Sequence, residues 1–506
     1  MRLLDSQTLS RLTLTTILML TWVSGWSQAL TPDVIPPSPE AASLGKYLST
    51  PVNYFSGLPQ IQIPLYTVKN RDLSVDVSLS YHAGGIRVEE IASRQGLGWN
   101  LQAGGRITRS VRGIADDQLG GFLLNTNTVQ QFREASSDVG QPNGKLSLMN
   151  RALSRTLDYE PDLFNFSYPG YSGQFVIDKN REVMLIPESD HKVTFTVAGS
   201  NGITAFTITD DQGYSYFFGN YAGQTAYDQT TFTFSYTDLV DGIPSNSSGP
   251  EVFYNSWHLL AIHSPSSDAK ITFSYRQHET RSVQRSGQRK SFGYVGCDGN
   301  NGIQTSFLIN QTRESVLSGI NYTLGRIALE YDDTQRTDLQ GDFALKKVRQ
   351  YGIGGELLKT YELDHGYFIS PDASSTQPPI IGYGKNHLTH RLYLKNVKEW
   401  NRLETDYKEH SFEYYQDEKL PNRFSFAQDI WGFYNGKNDN NSLIPLHFYF
   451  GPTPTPQDEF LNYIKGAERR TNPKTVKAQS LKKVTYPTGG YVVCFQPVPL
   501  FHIFQI

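Results

Sequence analysis

The amino-acid sequence predicts an all-β fold: serial antiparallel hairpins forming sandwich or extended-sheet units, with no large helical domain. Three observations carry this. Apolar residues alternate strictly with polar ones, most clearly where Leu73, Val75, Val77, Leu79 and Tyr81 share one face and Ser74, Asp76, Ser78 and Ser80 the other, the period-two signature of a half-buried strand. Aromatics make up 13% of the chain, with 30 Tyr and 28 Phe, types that suit a pleated surface. The 43 Gly and 26 Pro demand frequent turns, and only 4 Met and no long Ala/Leu/Glu/Lys runs are present.

At the N-terminus, residues 1–27 read as a signal peptide. Arg2 and Arg11 precede an apolar run from Leu12 to Val23, followed by Gly25-Trp26-Ser27, with cleavage expected before Gln28. That run falls short of the ~18 apolar residues of a comfortable membrane helix. No second long apolar segment follows, so no membrane span is expected after cleavage. Residues 28–60 form an extended leader, marked by Pro32, Pro36, Pro37 and Pro39.

From Ile61 the alternation begins: Ile61, Ile63 and Leu65 against Gln62, Pro64 and Tyr66. After the strand over residues 73–81, Gly84 and Gly85 end the run, residues 88–92 suit a helical turn or another strand, and Arg106 to Val111 reads as a strand. Hairpins follow wherever two alternating arms flank a short polar or Gly turn. They are Phe175–Asp178 with Val183–Ile186, Phe206–Thr209 with Tyr214–Phe218, Leu345–Tyr351 with Leu357–Leu363, and Leu392–Trp400 with Tyr407–Tyr415. Leu259 to Phe273 can be laid on Leu481 to Phe495 with Leu, Ile/Val, Pro and Phe at identical spacing, a repeated strand, proline-started turn and strand. Loop-rich stretches near 239–256 and 364–386 suggest β-rich units at 61–250, 251–370 and 371–490, with residues 491–506 an aberrant or truncated tail.

Composition narrows the function classes. A net charge of −3 leaves no basic footprint for nucleic acid. Only Cys297 and Cys494 are present, which excludes a disulfide framework. His258 with His263, and His387 with His390, are spaced to point to opposite faces of strands and lack Cys partners, so no metal site is expected. Asp429, Asn435, Asn438, Asp439, Asn440 and Asn441 make an oxygen-rich loop without EF-hand spacing, read as a solvated turn; Asp116-Asp117, Asp210-Asp211 and Asp332-Asp333 are read as turn residues. Trp257, Trp400 and Trp431 sit among apolar neighbours and are expected in the core. No Gly-x-Ser-x-Gly elbow or P-loop occurs. Hence no catalytic, cofactor-binding or metal-binding residue is assigned, no cofactor is expected, and the chain is read as not an enzyme.

Several segments, in order, resemble the N-terminal region of exported RHS/YD-repeat proteins of the Bacteroidetes. They are Pro39 to Tyr47, Leu79 to Ile86, Gly96-Leu-Gly-Trp99 with Gly104-Gly105, Glu160 to Phe164, Gly170 to Phe175, Ser256-Trp257, Gln428 to Gly436 and Leu481 to Gly490. The resemblance implies a bacterial secreted or outer-surface protein. This region would precede hairpin repeats that coil into a shell around a C-terminal effector. The expected function is therefore a non-catalytic β-scaffold whose partner is that downstream shell or effector. A carbohydrate-binding or adhesion module that meets surface glycans, and a secreted glycan-active enzyme, are the alternatives. After Gly490, relatives continue with an alternating acidic and aromatic strand, whereas here Pro497 and Pro499 interrupt it, so a truncation before the repeats is expected.

Overall fold

Alternation becomes burial in the first two strands. β1 (Ile61–Asn70) and β2 (Leu73–Tyr81) form an antiparallel hairpin, and β3 (Trp99–Gln102) adds to β2. Leu73, Val75, Val77, Leu79 and Tyr81 are all buried, as the pattern requires. β1 departs from simple alternation: the register slips between Pro64 and Tyr66, and Leu65 and Tyr66 are both buried. Proline has no N–H to donate to the ladder, so a bulge there is the natural response. Tyr66, expected on the polar face, consequently turns inward and donates its hydroxyl to the Lys359 carbonyl at 2.9 Å.

The computed structural model describes residues 58–494, except 127–128, 138–143, 154–155, 199–201, 238–243, 248–250, 291–302, 374–382, 446, 449–462 and 465. The expected signal peptide, nearly all of the leader, Cys297 and the tail beyond residue 494 lie outside the described residues.

The remaining strands join by antiparallel pairing. β4 (Arg106–Ser110), β5 (Leu163–Tyr168), β6 (Tyr171–Ile177) and β7 (Val183–Ile186) pair in series. Two helices, α1 (Val129–Glu134) and α2 (Lys145–Leu153), lie between β4 and β5 in the chain. β8 (Lys192–Val197), β9 (Ile203–Thr209) and β10 (Ser215–Tyr221) form a second series. After β11 (Gln224–Thr237) and β12 (Pro244–Ser247) comes β13 (Glu251–His263), the junction of the molecule. β13 pairs with β4 through Trp257↔Ile107, with β10 through Ile262↔Tyr216 and with β11 through Trp257↔Tyr227. It also pairs with β14 (Lys270–Lys290) through Ile262↔Ile271, and β14 makes a long hairpin with β15 (Ile303–Tyr322).

β15 returns to β11 through Phe234↔Leu308, so β11, β13, β14 and β15 pair cyclically and close a four-strand ring. From β15 a meander runs through β16 (Gly325–Tyr331), β17 (Leu345–Gly352), β18 (Leu357–Ile369), β19 (His390–Trp400) and β20 (Tyr407–Tyr414). The one-turn helix α3 (Asn386–Thr389) precedes β19. A short pair, β21 (His447–Phe448) and β22 (Tyr463–Ile464), stands apart from the meander, which continues from β20 to β23 (Leu481–Thr485) and β24 (Tyr491–Val493). Strand pairing crosses both positions, near 250 and 370, where the sequence suggested unit boundaries.

All four expected hairpins are present, joined at Ile177↔Val183, Thr209↔Ser215, Tyr351↔Leu357 and Trp400↔Tyr407. Residues 88–92 form neither a helix nor a strand but a turn, preceded by a bridge from Arg87 to Phe433. The repeated unit is a hairpin in both copies, yet the copies differ in register. Ile262 faces Ile271, whereas Val484 faces Val492, one residue earlier than the sequence alignment requires. The turn that follows Tyr486 is one residue shorter than the one that follows Ser264.

One apolar core joins the first sheet to the meander. Trp99, fully buried, packs on Phe412 with ring centroids 4.6 Å apart and donates its indole N–H to the Tyr414 hydroxyl at 3.0 Å. Tyr81 accepts the Leu481 N–H on its hydroxyl at 2.8 Å. Gly96 shows why that position takes glycine: its φ is +117°, and a Cβ there would lie 2.7 Å from the Leu394 backbone nitrogen.

Candidate functional site

The interior contains a buried network of ion pairs. Arg336 donates to Asp338 at 2.9 Å and to Asp342 at 2.7 Å; Arg94 joins Asp342 to Glu314; Arg423 reaches Asp338 and also donates to the His387 carbonyl at 2.7 Å. These residues come from the turn after residue 92, β15, the 332–344 loop and the segment after residue 420, so the network ties four distant segments together. Burial alone would raise the Asp338 carboxyl, but Arg336, Arg423 and the Leu392 N–H hold it below its ordinary value. Arg391, fully buried, donates from its two terminal nitrogens to neutral groups, the carbonyls of Val88 and Pro421 and the Ser370 hydroxyl, while its Nε has no partner among the described residues. Burial, reinforced by Arg423, lowers its guanidinium to about 9.

A second network is organised around Arg109, which donates to Asp162 at 2.6 Å and Asp117 at 2.8 Å. The Asp162 N–H donates to Asp116 and the Asp116 N–H to Asp162. Burial, then the neighbouring Asp162, pushes the Asp116 carboxyl up to about 8. Asp116 and Asp117 thus occupy a turn, as read, but a buried one. Asp210 is a turn residue in the simple sense, its carboxylate accepting the N–H groups of Gln212 and Tyr214. Asp332 accepts the Asp333 N–H in the same way.

Two cavities adjoin these networks, and Glu314 and Leu339 line both. The first, of about 610 Å³, is bordered by Arg94, Arg106, His258, Tyr275 and Asp342. His258 meets the Asp228 carboxylate at 2.9 Å, and Asp228 also accepts the Ser315 N–H at 2.7 Å. An imidazole oriented by a carboxylate is half of a nucleophile-activating arrangement. Among the described residues, no hydroxyl or thiol is bonded to that imidazole to complete it. The second, of about 530 Å³, is an open cleft bordered by Thr280, Ser282 and Gln284 of β14, Asn310 and Thr312 of β15, and Arg109.

The residues weighed from sequence fall in separate places. His263 meets the Tyr221 hydroxyl at 2.7 Å, apart from His258. His387 lies in the helix α3 and His390 opens β19, His387 against Tyr383 and His390 against Tyr367. No group of three or more potential metal ligands occurs among the described residues. The oxygen-rich loop is a solvated turn at Asn438, Asp439 and Asn441, which are exposed, but not at Asp429 and Asn435. Both are buried; Asp429 accepts the N–H groups of Trp431 and Phe433 and the Thr471 hydroxyl, and Asn435 donates to the Glu468 carbonyl. Their oxygens are already used in holding a loop that packs against residues 466–472. Trp257 is in the core as expected, Trp400 is half-buried, and Trp431 is 52% exposed at the tip of that loop beside Ile430. Cys494 is a buried free thiol, pushed up to about 11 by burial.

No family model matches the chain, and no curated protein does. Among solved structures it is similar to the N-terminal domain of the effector protein SpvB from Salmonella typhimurium strain LT2. The match has 15% identity, covers 71% of this chain and 94% of that chain, and has a TM-score of 0.25. A score of this size carries no inference about the site.

Sequence reasoning missed the cyclic pairing of β11, β13, β14 and β15 and both ion networks. The alternation of Val283 with Ser282 and Gln284, and of Phe307 and Ile309 with Ser306 and Asn310, was a signal for the long β14–β15 hairpin.

Proposed function

We propose that the chain is a non-catalytic β-scaffold, the N-terminal module of an exported RHS/YD-repeat-type surface or secreted protein, which caps or presents a downstream repeat shell or effector. One observation supports this reading above others: segments that carry the resemblance meet one another through buried structural bonds. Tyr81 packs on Trp99 with ring centroids 5.3 Å apart and accepts the Leu481 N–H, and Phe164 packs on Phe175 at 5.0 Å and on Trp257 at 5.9 Å. Asp162, in the Glu160–Phe164 segment, anchors Arg109. Residues used in this way position strands, and the meander from β15 to β24 offers a serial ladder on which further hairpins can be added.

The test is to mix the purified full chain with a separately produced RHS/YD-repeat segment, follow co-elution by size-exclusion chromatography, and assay the chain against a panel of glycosidase substrates. Co-elution without hydrolysis is expected. Absence of association, or hydrolysis that a single carboxylate substitution abolishes, would overturn the scaffold reading.

A further inference from the structure

We propose that Arg106 and the polar rows beside it form an open groove for an acidic oligosaccharide, one that carries uronate or sulfate groups, a property that goes beyond the scaffold reading and does not rest on it. Strand register builds the groove. His258 of β13 lies opposite Arg106 of β4, Arg106 opposite Ser167 of β5, and Ser167 opposite Ser172 of β6. Residues directly opposed in antiparallel strands point to one face, with Cβ atoms ~4.5–5.5 Å apart. Trp257, Ile107 and Phe166, which alternate with them, are buried in the core, so the row lies on the outer face. The next row on that face is Ser256, Thr108, Asn165 and Gln174. Each row crosses four strands, ~14 Å at the usual strand spacing, a span that suits an extended chain rather than a single ion. Two adjoining open clefts lie over these rows, and Arg106 and Ser167 border both: the cavity of about 610 Å³ beside Arg94, and a smaller one of about 380 Å³ at Thr108, Asn165, Ser172 and Gln174.

The charge balance of the groove selects a class of ligand. Its carboxylates are already engaged: Glu314 and Asp342 by Arg94 and Arg336, and Asp228, opposite Ser256, by His258 and the Ser315 N–H. No acid borders the smaller cleft. The Arg106 side chain is exposed and pairs with no carboxylate among the described residues, and the exposed Ser167 and Ser172 hydroxyls beside it have no protein partner there either. An uncommitted guanidinium offers a planar fork of N–H groups that matches a carboxylate or a sulfate. The hydroxyls and amides around it both donate and accept, as sugar hydroxyls do. In the second row the Gln174 amide donates to the Asn165 carbonyl oxygen at 2.7 Å, which orients both side chains and leaves the Asn165 NH₂ group and the Gln174 carbonyl oxygen for a ligand. One uncompensated positive charge is too little for a polyphosphate backbone, whose affinity comes from neutralising many phosphates. It suits a chain of hydroxyls with acid groups set along it.

The experiment applies the full chain to an array of uronate-containing and sulfated oligosaccharides printed beside neutral oligosaccharides of the same backbones. The strongest binder is followed by calorimetry on the parent, Arg106→Gln and Ser167→Val, with sodium sulfate alone as the control ligand, and by hydrogen exchange of residues 163–174. Saturable retention of an acidic oligosaccharide over its neutral counterpart, binding that weakens as salt rises, and slowed exchange over residues 163–174 are expected. An affinity loss of roughly tenfold or more in Arg106→Gln and a smaller loss in Ser167→Val are expected with them. Retention of neither form, equal retention of both, unchanged exchange over residues 163–174 of the parent, or full affinity in either variant that melts like the parent overturns the proposal. An affinity no greater than that for sulfate marks an adventitious ion only and overturns it as well. The exchange measurement decides the matter if neither variant folds.

Discussion

Asp116 is a carboxyl whose environment works against its charge. It is buried, Asp162 lies against it, and its folded value of about 8 stands above the ordinary carboxylate value of 3.8. A group raised on folding contributes its full stabilisation below the unfolded value and loses it as pH rises through the folded one. The contribution therefore declines between about pH 4 and pH 8, by at most ~1.4 kcal/mol per pH unit. Asp116→Asn keeps an oxygen for the Asp162 N–H and carries no charge. Its melting temperature is expected to change less between pH 5 and pH 8 than that of the parent chain, as thermal melts at the two pH values will show. An equal decline in both proteins would mean that Asp116 is not the responsible group. The surrounding ion pairs were not legible in the sequence, because Arg94, Arg109, Arg336 and Arg423 find their carboxylates only through tertiary folding. Arg109 and Asp162, for instance, are separated by 53 positions.

Strands and hairpins were legible because a period of two in the sequence maps directly onto burial. β2 coincides with the alternating run from Leu73 to Tyr81, and the four paired arms joined as expected. The failures have local causes. A bulge beside Pro64 reversed Tyr66, and a shortened turn shifted β24 by one residue against its counterpart. The Gly96–Trp99 turn gives a sharp test at this scale. Gly96→Ala forces a side chain into a positive-φ conformation and against the Leu394 backbone. Strain of that kind costs ~1–3 kcal/mol before any steric clash is added. Urea denaturation is expected to show a midpoint lowered accordingly; an unchanged midpoint would show that the turn relaxes freely.

Across the whole molecule, the boundaries suggested by loop-rich sequence do not interrupt the hydrogen-bonded sheet. β11 pairs on both sides of residue 250, with β13 and β15, and β18 pairs with β19 across residue 370. Gly, Pro and Ser clusters mark turns wherever they occur, and a turn inside a sheet has the same composition as a linker between domains. A sheet shared in this way couples the unfolding of its parts. Differential scanning calorimetry of the full chain is expected to show a single main transition, with the same midpoint by tryptophan fluorescence and by circular dichroism. Separate transitions would mean that the ring and the meander unfold independently.

The hydrogen bond from Leu481 to the Tyr81 hydroxyl spans 400 positions of sequence. A ribosome therefore builds the first sheet long before the residue that latches it exists. Contacts of such large separation slow folding, since a long loop must be closed before they are gained. Until that latch arrives, the Tyr81 hydroxyl lacks the N–H that it accepts in the folded chain, although Trp99 already lies beside its ring.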